Sequence, residues 1–408
     1  MPRVVVTGMG TINPLGSSVE EFWEGLVAGK SAIGPITRFD ASNFRVKLNA
    51  EVNGFDPTKH MDLKVVDRTS RTIQFAIAAV REAIQSAILD MAQENPERIG
   101  VIIATMTEQG YVVRGWELFQ KRGPRRADPL FITKSGSSAA SMHVGMLLGA
   151  KGPNNTVNSL CASGVDAIGT ATNFIRLGYA DVMIAGGSDA SLEPVSMAGI
   201  DIVGALSHES DPAKASRPFD LNRNGFVYGE GAGLLVLESL EHAKKRGAPI
   251  LAEIAGAGWS FDACDSTAPA PETEAYAMRT ALQNAGVEID KVGYINAHGT
   301  STKLNDACET KAIKMVFGEN AYKIPISSTK SMIGHIITAA GAVETIASIL
   351  VMGKGIIHPT INYETLDPEC DLDYVPNVAR QTQVDVCLKN SFGLGGENCC
   401  LVLKRLEG

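Results

Sequence analysis

The 408-residue chain has no CxxC pair and no cysteine–histidine cluster at zinc-ligand spacing. Its seven cysteines (Cys161, Cys264, Cys308, Cys370, Cys387, Cys399 and Cys400) are odd in number and follow no disulfide framework, which fits free thiols in a reducing compartment. The opening MPRVVVTGMG lacks the apolar stretch and small-residue cleavage site of a signal peptide. No uninterrupted apolar run reaches the length needed to span a bilayer. A cytoplasmic location with no membrane partner is therefore expected. Positive charge is also in deficit: 37 Lys and Arg against 45 Asp and Glu leave a net charge of −8, with a pI near 5.5, which argues against nucleic acid as the main partner.

What the chain does have is alternation. RVVVTGMG reads as a strand, and residues 68–87 place Ile73, Ile77, Val80 and Ile84 at helical spacing. RIGVIIAT and ADVMIAGGSDA read as further buried strands, and strands alternating with helices predict an α/β fold with a parallel or mixed sheet. The second half repeats the plan in order. PILAEIAGAG answers PRVVVTGMG, the helical ETEAYAMRTALQNAG answers residues 68–87, and KVGYINAHGT answers RIGVIIATMT. IPISSTKSMIGHIITAAGAVETIASIL then answers NTVNSLCASGVDAIGTATNFIRLG, and GFVYGEGAGLLVLE is matched by NSFGLGGENCCLVLK. Two similar α/β halves are expected, residues 1–247 and 248–408. The N-terminal TGMGTINPLG is not a dinucleotide fingerprint, because Asn13 stands where the third glycine is needed.

Cys161 falls where a small-residue segment runs into a helix. A helix N-terminus favours thiolate, so Cys161 is either a nucleophile or a buried, inert thiol. His298 follows a strand in NAHGTSTKLND, and His335 begins the helix that mirrors the cysteine helix. Three such residues at element ends are read as one site, suited to thiol activation or to hydrogen bonding of a developing oxyanion. No carboxylate spacing supports a metal site at the histidines, and none is expected.

At these residues the sequence resembles the β-ketoacyl-acyl carrier protein synthases, especially the synthase II type of condensing enzyme. The resemblance runs from VVVTGMGTINPLG through CASGVDAIG, ASRPFDLNRNGFVYGEGAG, NAHGTSTKLND and SSTKSMIGH to NSFGLGGEN, nearly the whole chain. It implies a thiolase-like fold of two duplicated α/β halves in a five-layered αβαβα arrangement, usually a homodimer. It implies that Cys161 accepts an acyl chain from the phosphopantetheine of an acyl carrier protein, with the backbone N–H groups of Cys161 and Leu394 as oxyanion hole. His298 and His335 would stabilise the enolate formed when malonyl-carrier protein loses CO2, and the product would be a 3-ketoacyl chain two carbons longer. No metal or organic cofactor is implied.

The same resemblance assigns Lys330 and Glu344 as a buried pair that orients His335 and sets local charge, Thr300 and Thr302 as pantetheine-binding hydroxyls, and Asp306 and Glu309 as organisers of the loop after His298. Within KRGPRRADP, Arg125 and Arg126 are the carrier-protein docking candidates, favoured by electrostatic steering. Departures concern the acyl pocket. Phe392 is kept, but the gate position is Leu394 rather than phenylalanine, and Glu397 replaces a common threonine. Glu108 and Gln109 stand in a pocket region usually occupied by glycine and an apolar residue, and Asp265 stands in a loop that usually holds a histidine. Such polar residues suit an oxygenated or unsaturated chain. The alternative is thus the ketosynthase subunit of a type II polyketide or polyene pathway, paired as a heterodimer with a chain-length partner. A non-catalytic partner subunit would lack Cys161; a thiolase would need a second cysteine, for which Cys399 and Cys400 are the candidates.

Overall fold

The computed structural model describes residues 1–264 and 268–406; Asp265 lies outside the described residues. Ten strands form one twisted sheet: β1 Val4–Ile12, β2 Ile99–Ala104, β3 Asn154–Asn155, β4 Val182–Asp189, β5 Gly231–Ser239, β6 Ala252–Phe261, β7 Tyr294–Asn296, β8 Ile326–Ser327, β9 Val386–Phe392 and β10 Glu397–Lys404. Their order is β8-β7-β9-β10-β6-β1-β5-β4-β2-β3. Read from either outer edge inward, the pattern is the same. β3, β2 and β4 run parallel, then β5 and β1 antiparallel; β8, β7 and β9 run parallel, then β10 and β6 antiparallel. The two sets meet where β1 and β6 pair over Val5–Glu253 and Val6–Ala252. Each strand of the first half thus has a counterpart five strands later, as the repeated sequence predicts.

Seven helices matter for the site: α1 Arg71–Ser86, α2 Gln109–Arg122, α3 Ser163–Arg176, α4 Pro194–Ile202, α5 Pro271–Ala285, α6 Lys303–Phe317 and α7 Ile337–Lys354. α1 covers β1 and β5 on one outside, and α5 covers β6 and β10 on the other. α3 and α7 pack on each other between the two halves of the sheet, giving five layers. The chain has the thiolase-like fold. β1 is buried along its whole length because both its faces are covered. α7 is long and apolar enough by length and composition to cross a membrane, yet every residue from Ile337 to Met352 is buried in the protein core.

The central helices approach closely because of glycine. A Cβ on Gly164 would stand 2.6 Å from the backbone nitrogen of Ala342, and one on Gly341 would stand 2.8 Å from that of Val165. These are equivalent positions of the repeat, CASG against TAAG. The segment before Cys161 departs from expectation: only Asn154–Asn155 pairs as strand, and the chain from Thr156 to Ser159 is irregular.

Candidate active site

Leu160 adopts φ +47°, a left-handed conformation seldom taken by a branched side chain. It turns the chain into the 3₁₀ turn Leu160–Ala162, which delivers Cys161 directly ahead of α3. His298 follows β7, and His335 precedes α7, held by its N–H donating to the Val227 carbonyl at 2.7 Å. The sulfur and the nearest ring nitrogens of the two histidines lie within 4.8 Å of one another. One residue from the first half therefore meets two from the second.

The backbone N–H groups of Leu394 and Cys161 lie near enough to the Cys161 sulfur to favour its charged form. These are the two amides expected to form an oxyanion hole. Even so, burial outweighs them and pushes the thiol up to about 11. Desolvation thus opposes the thiolate that the helix N-terminus favours, at a residue that keeps partial exposure to the cavity.

Both histidines are held well below the ordinary histidine value by burial first, then by the Lys330 charge, so both rings are neutral. Neighbours settle where each proton sits. The Ile337 N–H donates to His335 Nδ1 at 3.2 Å, leaving the proton on Nε2, a buried atom with no partner. Lys330 Nζ lies 3.4 Å from His298 Nδ1 and donates to the His298 carbonyl at 2.7 Å, so His298 too carries its proton on Nε2. Phe226 packs edge-on against His335 at 5.1 Å, and Phe392 against His298 at 5.9 Å. The Cys–His–His spacing alone could accommodate a shared metal ion. The Lys330 ammonium against His298 opposes a second cation there, and the trio reads as a hydrogen-bonding site.

Lys330 forms a buried ion pair with Glu344 at 2.6 Å, as expected, but its ring partner is His298 rather than His335. Sequence proximity misled: the chain turns at Gly334, with φ +66°, and the ring that Lys330 reaches is that of His298. Glu309 accepts from the N–H groups of His298 and Gly299, both at 2.8 Å, and Asp306 accepts from those of Thr300 at 2.9 Å and Ser301 at 3.1 Å. These two carboxylates hold a loop in which Gly299 and Ser301 both have positive φ. Lys389, not singled out from the sequence, is the second ammonium on Glu344, at 2.8 Å. Its signal was a lysine inside the continuous strand VCLKNSF.

A cavity of about 650 Å³ opens at the cysteine. It is lined by apolar Met106, Ile200 and Val203 and by the hydroxyl-bearing Thr300 and Thr302, whose Oγ1 atoms are 2.9 Å apart. Phe392 and Leu394 both border it; Phe392 is buried and Leu394 is 43% exposed. Gln109 lines the cavity and accepts from Ser196 Oγ at 3.1 Å. Glu108 does not: it turns back to accept from Ser70 Oγ at 2.7 Å, and burial raises its pKa. Its expected place in the acyl pocket is corrected, because the helix start at Gln109 directs consecutive side chains apart. Arg125 and Arg126 lie exposed on the turn Pro124–Arg126. Cys399 and Cys400 are buried in β10 and pushed far up by burial, unsuited to a second catalytic thiol.

Fold and site together place the protein among the condensing enzymes that transfer acyl groups through cysteine. The chain belongs to the β-ketoacyl synthase family: "Beta-ketoacyl synthase, N-terminal domain" matches residues 1–243 and "Beta-ketoacyl synthase, C-terminal domain" residues 251–364. It is 45% identical over 408 residues to the 3-oxoacyl-[acyl-carrier-protein] synthase 2 of Coxiella burnetii, covering 99% of each chain. Among solved structures it is similar to the type II polyketide ketosynthase AntDE, held with its acyl carrier protein AntF and bound to the hexaketide (TM-score 0.92, 37% identity, 100% of both chains). It is equally similar to the ishigamide ketosynthase/chain length factor (TM-score 0.92, 38% identity, 100% of both chains).

Proposed function

We propose that the protein is a β-ketoacyl-acyl carrier protein synthase of fatty-acid elongation, condensing malonyl-acyl carrier protein with an acyl chain held on Cys161. The observation that carries this reading is the pair of neutral imidazoles, each with its Nε2 proton available, beside a thiol backed by two amides. In the first half-reaction the Cys161 sulfur attacks the acyl thioester, the amides of Cys161 and Leu394 hold the oxyanion, and the pantetheine sulfur leaves. The exchange is proton-neutral, since the proton lost by one thiol ends on the other. In the second, malonyl loses CO2, Nε2–H of His298 and of His335 stabilise the enolate oxygen, and the carbanion attacks the acyl carbon. Cys161 then departs as thiolate and takes a proton from solution, as its high pKa favours. Departing CO2 drives bond formation, so no metal or organic cofactor is required.

Thr300 and Thr302 bind the pantetheine arm, with Phe392 and Leu394 as gate. The carrier protein docks through Arg125 and Arg126. Reversing both charges, Arg125→Glu with Arg126→Glu, is expected to raise KM for acyl-carrier protein about tenfold with kcat little changed, an effect that fades at high salt. Steady-state kinetics at two ionic strengths check it. The mirrored sheet order supports residues 1–247 and 248–408 as two copies of one unit. The enzyme acts in the cytoplasm as a homodimer, its partner copy covering the exposed Trp116, Ile132 and Met146.

One observation favours a second reading, a polyketide or polyene ketosynthase in a heterodimer: the polar Gln109–Ser196 pair in the cavity wall. Both are tested by incubating the protein with malonyl-carrier protein and a panel of acyl-carrier proteins, reading Cys161 acylation and product length by intact mass. Extension of saturated chains supports fatty-acid elongation. Acylation without extension, relieved by a chain-length partner, selects the polyketide reading. Absence of acylation from every donor overturns both.

A further inference from the structure

Lys389 lies in β9, whose seven residues are all buried, and has no accessible surface. Its Nζ stands 2.8 Å from Glu344 Oε2 as an ion pair, with Oε2 accepting no hydrogen bond, and donates to the Asn390 carbonyl, while Lys330 Nζ donates to Glu344 Oε1 at 2.6 Å. Lys330 in turn sits 3.4 Å from His298 Nδ1. A continuous polar chain thus runs Lys389–Glu344–Lys330–His298. Two buried lysines share the Glu344 carboxylate, and the other buried carboxylate near them, Glu309, is already held by the N–H groups of His298 and Gly299 and by Asn390 Nδ2. An apolar residue at 389 would still leave Lys330 paired with Glu344 and Glu309 hydrogen-bonded, so hydrogen-bond satisfaction does not account for Lys389.

Geometry supplies another account. Glu344 has two oxygens, and Lys389 occupies the one turned away from the site. Without it Lys330 could chelate both oxygens and withdraw from the imidazole. We propose that Lys389 is a positioning residue for the condensation: by holding Glu344 Oε2 it keeps Lys330 on Oε1 and against His298, and it adds positive potential where the enolate oxygen forms.

The inference rests on the reaction proposed above. Around Lys389 the ionisable groups are Glu344, Lys330, Glu309, Cys387, Cys399 and Cys400, with His298 and His335 beyond them. Glu344 and Glu309 are the only carboxylates of that set. The Lys389 charge contributes to keeping both imidazoles neutral. Its removal makes them easier to protonate, and a proton on His298 Nδ1 would face the Lys330 ammonium and displace the ring.

The test uses full-length Lys389→Met. Expected are an unchanged or higher melting temperature, unchanged acylation of Cys161, malonyl-carrier protein decarboxylation about tenfold slower at neutral pH, and an acid limb of its pH profile moved to higher pH. In parallel, the ring ¹⁵N signals of His298 should titrate at higher pH than in the wild type. Unchanged decarboxylation with an unmoved acid limb overturns the proposal. So does a lower melting temperature with both half-reactions declining together and His298 titrating as before. If the Met variant does not fold, Lys389→Gln keeps a polar side chain beside Glu344 without the charge and must show the same movement of the His298 titration. Failure of wild-type enzyme to decarboxylate malonyl-carrier protein would instead overturn the proposed reaction, and the ¹⁵N titration would still decide the role of Lys389.

Discussion

His335→Ala is expected to slow carbon–carbon bond formation about 10²–10³-fold while Cys161 still loads with acyl chain at close to the wild-type rate. The separation follows from where the atoms point. On the proposed mechanism the oxyanion of acylation is held by backbone N–H groups of Cys161 and Leu394, which the substitution leaves in place. The enolate of the proposed second half-reaction would depend on Nε2–H of the two histidines, and His335 Nε2 has no hydrogen-bond partner. Single-turnover acylation, followed by intact mass, and malonyl decarboxylation, followed by CO2 release, separate the two steps. Equal losses in both would show that His335 activates the thiol instead. The wild-type profile carries a second sign. Because burial and the Lys330 charge depress both imidazoles, they stay neutral as pH falls through 6.5, the usual histidine value. Decarboxylation should therefore persist below that pH rather than fall with an ordinary histidine titration.

Gly164→Ala is expected to destabilise the fold by about 3 kcal/mol and, in the fraction that folds, to cut condensation about 10²-fold. The new methyl would meet backbone, Ala342 nitrogen at 2.6 Å and the Thr338 carbonyl at 3.1 Å, and backbone cannot swing aside as a side chain can. Relief requires α3 and α7 to part. α3 follows directly on Cys161 and α7 on His335, so parting them widens the distance between nucleophile and donor. Gly353→Ala is the control. It lies in the same helix, α7, with nothing within 4 Å of its added Cβ. The better helix propensity of alanine there should stabilise by up to about 1 kcal/mol. Thermal melts of both variants, with single-turnover condensation on the soluble fraction, check the pair. A Gly164→Ala enzyme as stable and as fast as the wild type would mean that the helix crossing does not set the site.

Much of this was legible in the chain because it rests on local pattern. The ordered recurrence of strand and helix motifs foretold the mirrored sheet, and the positions of Cys161, His298 and His335 at element ends foretold their convergence. What escaped depended on direction rather than position. Lys330 stands five residues before His335, yet its ammonium reaches His298, because long-range packing and not sequence separation decides where a flexible side chain ends. Glu108 and Gln109 are neighbours, but only Gln109 borders the cavity; the conformation at a helix start is needed to send them apart. Lys389 hid inside a strand whose other residues are compatible with plain burial. The thiol's protonation state was read from the helix N-terminus, a local favourable term, whereas desolvation depends on everything packed around it.

The division of the site between the two halves also constrains its history. On the proposed mechanism the nucleophile comes from the first half and both proton donors from the second, at places that do not correspond in the repeat: Cys161 is matched by Thr338, three residues after His335. A half-length ancestor could not have assembled this constellation within one copy of itself. It would have had to pair with a twin, placing like residues on both sides of the crossing. Within one chain the two sides need not match, so one carries a sulfur and the other a pair of imidazoles. A nearly symmetric fold thus carries an asymmetric chemistry.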